Sequence, residues 1–524
     1  MTSRTSETVR QARAVARSSV IARPDWREGI GLGLVAVLVC AASSWVPSKW
    51  WDETATQTGA SRSLTQLWTQ MRHVDAVHGV YYALMHSWVR LVGTSELALR
   101  FPSAVAAGVA CLGVWVLGNR LASRALGRAA AVSFVVLPRV TWFGMEARSL
   151  ALTAAVAAWS TVLLVDLLSS VGEGRRAPGA RIGWLWCGYA LLSGFGIALD
   201  VYLGLVLAAH AVTALWWLRG RVRPVLWPWL AAAAVAVAMG APIIRLSVGQ
   251  SAALPDVAAS ITRYVRQLAV QQYFMGAQPT LYQILELPPV ASWAWAAIGL
   301  AALGWTLALL ALLRERTSAG GRVRAVALPW IMVPVALVVA YSFVGIPMYA
   351  ARYFSFTAPA AALLLGQGWL ALRGRRRRVL AAVLAVLLVA PVYAAQRIPT
   401  AKHGYDWNVA ASYVRAHVPA GAPVYYSPAE GNPSDAYPAD FVQVDDFSLQ
   451  RTAAASGTLF GTRRAIASGA DVPDVRVLWV VETNDSLENQ ATVARERALI
   501  LQAGFHEDSR RTWTQTSVVR YSRA

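Results

Sequence analysis

Five short stretches of this chain carry side chains that do chemistry. The first is "WWDETAT", Trp50 to Thr56, where Asp52 and Glu53 stand together behind two tryptophans. A carboxylate of this kind can take a proton from a hydroxyl. The second is "RHVDAVHGVYYALMH", Arg72 to His86, which holds Asp75, three histidines and the Tyr81–Tyr82 pair. His78, Tyr82 and His86 recur at i, i+4 and i+8, which puts them on one face of a helix. "PRVTWFGMEARSL" is the third, with Glu146 and Arg148 two residues apart; that spacing does not let them face each other on a helix, so each needs another partner. The fourth, "YVRQLAVQQYFMG", brings Arg263, Arg266, Gln271, Gln272 and Tyr273. In the fifth, "GIPMYAARYFSFTAPA", Arg352 precedes Tyr353. The planar fork of an arginine accepts phosphate oxygens bidentately.

Other chemistries find less support. His73 and His78 lack a metal-type spacing with a firm third ligand. Cys40, Cys111 and Cys187 all lie inside apolar runs, which argues against a disulfide framework. No GxGxxG, P-loop or nucleophile-elbow pattern occurs. The sequence calls for no cofactor and leaves a divalent-metal requirement open. A net charge of +20 can mark a nucleic-acid binder. Here nearly all of it is arginine, with Lys49 and Lys402 the only lysines, and the arginines cluster between apolar runs. That is the positive-inside pattern of a membrane protein, so no nucleic-acid partner is expected.

The elements that must position these groups are membrane helices. The chain of 524 residues is 56% hydrophobic and 15% charged, too apolar for a soluble domain of this length. Charge-free runs long enough to span recur at 29–48, 101–119, 149–165, 182–199, 201–218, 224–244, 287–313, 325–351, 353–372 and 379–396. A weaker run at about 125–144 makes eleven. With eleven spans and a cytosolic N-terminus, the Arg clusters at 120–128, 175–181, 219–223, 314–324 and 373–378 all share one side. The predicted organisation is an Arg-rich cytosolic tail (1–28), a transmembrane domain (29–397) and an outer domain (398–524). The loop 47–97 faces out, with helices expected over 53–71 and 77–92 along the interface. Beyond 398, strand and helix patterns alternate, as in a small α/β domain. The predicted fold class is therefore a polytopic α-helical membrane protein with a small C-terminal α/β domain, multi-pass in the plasma membrane.

Acids and arginines gathered at one membrane face suit one reaction. A sugar leaves a lipid phosphate, a carboxylate deprotonates the acceptor hydroxyl, and arginines stabilise the departing charge. The same stretches resemble the multi-spanning GT-C glycosyltransferases, in the branch of protein O-mannosyltransferases and lipid A aminoarabinose transferases. "WWDETAT" is similar to the family's catalytic loop opening, and "DAVHGVYYALMHSWVRLVGTSELALRFPSAVAAG" to its interfacial helix and second span. "PRVTWFGMEARSLAL" and "GIPMYAARYFSFTAPA" are similar to two of its polar outer turns. Together these cover roughly residues 45–360, in the family's order. The resemblance implies Asp52 as the base with Glu53 beside it, and Arg148, Arg352 and Tyr353 at the donor phosphate. Asp75, His78, Tyr82, His86 and Glu146 would line the substrate site. It also implies a polyprenyl-phosphate donor, mannose first among sugars, and an inverting displacement onto a glycolipid, glycan or protein acceptor at the outer face, beside membrane lipid. Met145 replaces the glutamine common before the family's Glu, and Asp200–Val201–Tyr202 replaces a His–Tyr pair. Arabinosyl transfer, or a lipid or sugar transporter, are the alternative readings.

Overall fold

The computed structural model describes residues 25–172, 179–219, 222–250, 260–276, 292–314 and 317–524. The tail arginines through Arg23, together with Arg175, Arg176, Arg221, Arg316 and residues 251–259 and 277–291, lie outside the described residues. Sixteen helices precede the C-terminal domain among the described residues. The first six are α1 (Trp26–Ala41), α2 (Trp51–Ser61), α3 (Leu64–His73), α4 (Gly79–Val92), α5 (Glu96–Leu121) and α6 (Arg124–Val136). Then come α7 (Pro138–Phe143), α8 (Leu150–Gly172), α9 (Gly179–Leu199), α10 (Gly204–Leu218) and α11 (Arg223–Gly249). α12 (Ile261–Arg266), α13 (Ser292–Arg314), α14 (Ser318–Tyr341), α15 (Ala358–Ala371) and α16 (Arg375–Ala395) complete the set.

Eight of these helices are long and apolar enough to cross a membrane: α5, α8, α9, α10 with the turn before it, α11, α13, α14 and α16. Each of the ten charge-free runs, and the weaker one interrupted by Arg128 and Arg139, contains a helix. Three are shorter, with 16 residues in α1, 13 in α6 and 14 in α15. Their ends have local causes. The chain after α6 meets Pro138, which disfavours a helical Leu137. Before α15 a tight 3₁₀ turn, Ala351–Thr357, carries Arg352 and Tyr353. Past α1, the irregular stretch to Lys49 has its carbonyls satisfied by arginines: Arg397 donates to Val39 and Ala42, and Arg100 to Ser44, Pro47 and Ser48. Without such donors, exposed carbonyls at membrane depth would each cost several kcal/mol.

Small residues let the helices approach. α1 crosses α5 where a Cβ on Gly108 would lie 2.8 Å from the Gly33 carbonyl, so neither position has room for a side chain. The core of the bundle fills with Val114, Trp115, Phe134, Phe143, Trp330 and Leu363, all buried. Ser95 and Ser123 cap α5 and α6 by accepting from Ala98 and Leu126 N–H groups. In the outer loop the expected helix over 53–71 is two helices. Ser63 breaks it and starts α3 with a reciprocal capping box to Gln66.

The C-terminal domain has helices α17 (Trp407–His417) and α18 (Leu487–Gln502) on a five-stranded mixed sheet. Its strands are β1 (Pro423–Ser427), β2 (Asp445–Asp446), β3 (Val477–Thr483), β4 (His506–Thr512) and β5 (Thr516–Ser522), in the order β2-β1-β3-β5-β4. β1 runs parallel to β2 and β3, whereas β5 is antiparallel to β3 and β4. The helix and strand patterns read beyond 398, "DWNVAASYVRAHV", "APVYYSP", "VRVLWVVETN", "SLENQATVARERALILQAGF" and "TSVVRYS", fall on α17, β1, β3, α18 and β5. β4, "HEDSRRT", is polar throughout and sits at the sheet edge, where charge replaces alternation.

Candidate active site

Asp52 sits in the first turn of α2, and what surrounds α2 sets its position. Glu53, the next residue, is fully buried and bound by Arg100 of α5 through Nε to Oε1 (2.8 Å) and Nη2 to Oε2 (2.6 Å). Glu53 Oε1 also accepts from the Ala147 N–H at 3.0 Å. Burial pushes the Glu53 carboxyl up, but Arg100 and then Lys402 pull it further down, so it stays ionised. Both its oxygens are committed to structure. Glu53, expected beside Asp52 in the catalytic site, ties α2 to α5 and to the turn carrying Glu146 and Arg148.

On the other side of the helix, the C-terminal domain holds α2. Lys49 Nζ donates to Gln57 Oε1 (2.8 Å) and to the Ala436 carbonyl (2.9 Å). Gln57 donates to the carbonyls of Asp435 and Ala436, and the Tyr437 hydroxyl to Glu96.

Held this way, Asp52 lies between two arginines. Arg352 Nη1 donates to Oδ2 at 3.1 Å, and Arg148 Nη2 lies 3.4 Å from Oδ1. Burial raises the Asp52 carboxyl, yet the charges of Arg148 and Arg352 outweigh it and hold the group below its ordinary value. Each arginine has a second support. Arg148 Nη1 donates to the Tyr82 hydroxyl at 2.8 Å, and that hydroxyl donates onward to Asp75. Arg352 reaches the Tyr353 hydroxyl at 3.3 Å and lies over the Trp50 ring, 5.6 Å from its centroid.

The remaining predicted residues divide. Asp75 and Tyr82 join the site through Arg148. Asp75 takes a left-handed backbone, φ 59°, just before α4. His78 precedes the helix instead of sharing its face; its Nε2 is 3.9 Å from Asp75, and burial followed by Arg148 lowers its pKa to about 4. His86 is absorbed elsewhere: Nδ1–H donates to the Ala60 carbonyl at 3.0 Å, and Nε2 faces Arg90. Glu146 is buried, and burial raises its carboxyl. Neither Glu146 Oε2 nor Lys402 Nζ has a hydrogen-bond partner among the described residues, and the Lys402 ammonium lies 4.0 Å above the Trp142 ring. The fourth stretch is a brace. Arg139 donates to the carbonyls of Gln271 and Gln272, while Gln272 accepts from Tyr349 and donates to Thr357. Among the described residues no three His, Cys, Asp or Glu side chains gather as a metal site would.

A cleft of about 330 Å³ opens over Asp52, lined by Trp50, Trp51, Asp52, Arg352, His403, Tyr405 and Asp485. No family model matches the chain, and no curated protein does. Among solved structures, ArnT from Cupriavidus metallidurans in the apo state aligns with a TM-score of 0.55 at 11% identity, over 93% of this chain and 97% of that one. ArnT from the same organism bound to undecaprenyl phosphate gives 0.52 at 11% identity, over 95% and 98%. The oligosaccharyltransferase AglB from Archaeoglobus fulgidus, in complex with an inhibitory peptide and a dolichol-phosphate, gives 0.47 at 11% identity, over 95% and 74%. The ArnT alignment runs over nearly the whole of both chains. The chain has the GT-C fold.

Within this GT-C fold, four groups near Asp52 escaped the sequence reading. Arg100 was legible in principle, as a lone arginine at the head of an otherwise charge-free run. His403, Tyr405 and Asp485 were not, because no local motif links them to a loop more than 300 residues earlier.

Proposed function

We propose that the chain is a membrane glycosyltransferase. It moves a sugar from a polyprenyl phosphate to a hydroxyl of an envelope acceptor, lipoglycan or protein, at the outer face. Mannose is the sugar the sequence resemblance favours. The observation that carries the reading is one carboxylate, Asp52, flanked by two arginines at a cleft in a membrane bundle. Undecaprenyl phosphate bound to ArnT, which shares the fold, supports the choice of donor lipid.

In the reaction, Asp52 accepts the proton of the acceptor hydroxyl as its oxygen attacks the anomeric carbon. The bond from that carbon to the phosphate oxygen breaks, and its electron pair stays with the phosphate. Arg148 and Arg352 neutralise the charge that develops there, with Tyr353 beside them. One displacement inverts the anomeric centre. Glu53, through Arg100, fixes the helix from which Asp52 acts.

Asp52→Asn is the test. It keeps size and loses basicity, so transfer from polyprenyl-phosphate mannose should fall by about 10²–10⁴-fold. Binding of undecaprenyl phosphate should persist. Transfer at the wild-type rate would remove Asp52 from the role of base.

A further inference from the structure

The cleft above Asp52 has two chemically different sides. One belongs to the membrane domain: Asp52, Arg352, Trp50 and Trp51. The other comes from the C-terminal region: His403, Tyr405 and Asp485. We infer that this second side is the acceptor subsite, and that it takes a neutral carbohydrate, so that Tyr405 and Asp485 make the acceptor a glycan rather than a protein hydroxyl. This rests on the transferase reading and narrows its acceptor.

Asp485 is built in place and not saturated. Its Oδ2 accepts from the Tyr405 hydroxyl at 3.0 Å, and its Oδ1 from Asn489 Nδ2 at 2.6 Å. A carboxylate has about four lone-pair sites, so about two remain for further donors. The Tyr405 hydroxyl donates to Asp485 and keeps its own acceptor capacity. Adjacent sugar hydroxyls supply donors of this kind at neighbouring positions. Aromatic walls suit the C–H faces of a sugar ring. Trp51 and Tyr405 are both partly exposed, and each is fixed by another ring: Phe460 lies 4.2 Å from Trp51, and Trp407 lies 4.4 Å from Tyr405. His403, stacked at 4.4 Å on Trp50, stays neutral because burial and then Arg352 lower its pKa to about 4.

Charge separates the candidates. The C-terminal side of the lining carries the Asp485 carboxylate and no arginine or lysine. An anionic acceptor would be repelled there. A peptide needs backbone donors and acceptors along its length, whereas this lining offers side-chain oxygens and ring faces. The volume lies at the lower end of small-ligand clefts, which suits short saccharides.

The test uses the full-length protein in lipid nanodiscs and saturation-transfer NMR. The probes are manno-, gluco-, galacto- and arabinotetraose, with a Ser/Thr-rich peptide alongside. At least one tetraose should bind and the peptide should not. Asp485→Asn and Tyr405→Ala should weaken that binding about tenfold, the loss expected for one good polar contact. Tyr405→Phe keeps the ring packing, removes only the hydroxyl and should weaken binding less. Undecaprenyl phosphate binding should be unchanged in all three variants, which shows that they fold. The inference fails if no tetraose binds, if only the peptide binds, or if the variants bind the tetraose normally. Because these are binding measurements, such a failure is separate from that of the transferase reading, which Asp52→Asn decides by activity.

Discussion

At the scale of the residue, the proposed base, Asp52, is held by the two arginines beside it. Arg148 and Arg352 hold the Asp52 carboxyl below the usual range, against the upward push of burial. A group held low gives its ion-pair stabilisation above its unfolded pKa and loses it as pH falls through the folded one. Asp52 is therefore ionised across the physiological range, and protonation of the proposed base should cut activity only below the ordinary carboxylate range. His78 and His403, both lowered to about 4, add no titration between pH 5 and 8. Arg352→Gln removes one of the two charges facing Asp52. Its pKa should rise, and the acid limb of kcat/KM should move up with it. A pH profile of the variant with polyprenyl-phosphate mannose checks this. An unmoved limb would show that Arg352 does not set the charge of Asp52. Donor binding should weaken in the same variant, because this guanidinium also serves the phosphate.

At the scale of the element, α2 is the part that has to be placed well, and its anchor is the buried Glu53–Arg100 pair. Arg100 is 1% exposed; its donors are used on Glu53 and on the carbonyls of Ser44, Pro47 and Ser48. Removing either partner leaves a buried charge alone, which costs about 3–5 kcal/mol. Glu53→Ala and Arg100→Ala should each lower the thermal midpoint in detergent markedly. The double variant should lose less than the sum, because the second change removes the orphaned charge the first created. Strict additivity would mean the two residues act independently. This anchor also explains what the sequence could and could not tell. Two adjacent acids at the head of an outer loop pointed to a site, since acids are sparse in so apolar a chain. The residues alone did not say which of the two is free, and only the family resemblance pointed to Asp52, for the answer depends on α5 bringing Arg100 onto Glu53. The i, i+2 spacing of Glu146 and Arg148 did show that each needed another partner. It could not say that Arg148 would face Asp52 while Glu146 lay beneath it, near Lys402.

Across the whole molecule, charge and cleft lie at opposite ends of the same bundle. The arginines Arg373 and Arg375 to Arg378 head α16, which closes with Arg397 bound to the carbonyls that follow α1, next to the stretch leading into Asp52. One helix thus runs from an Arg-rich rim to the site. Positive loops stay on the cytosolic side of a membrane, so we propose that the cleft and the C-terminal domain face outside. The domain leans on the membrane part through Lys49, Gln57 and Tyr437; its helices and the strands β1, β3 and β5 were legible from their patterns, whereas the two-residue β2 and the polar edge strand β4 were not. Its share of the cleft was not, because contacts between distant segments leave no local period. A labelling experiment decides the sidedness. Cys187 is exposed and has to be replaced first; Cys40 and Cys111 are buried. Ser61 ends α2 and Arg376 lies in the first turn of α16, both on the surface, and either accepts a cysteine without touching the core. In intact cells a membrane-impermeant maleimide should modify Ser61→Cys and leave Arg376→Cys unmodified until the membrane is permeabilised. The reverse pattern would turn the cleft toward the cytoplasm, where a polyprenyl-phosphate sugar presented on the outer leaflet could not reach Asp52.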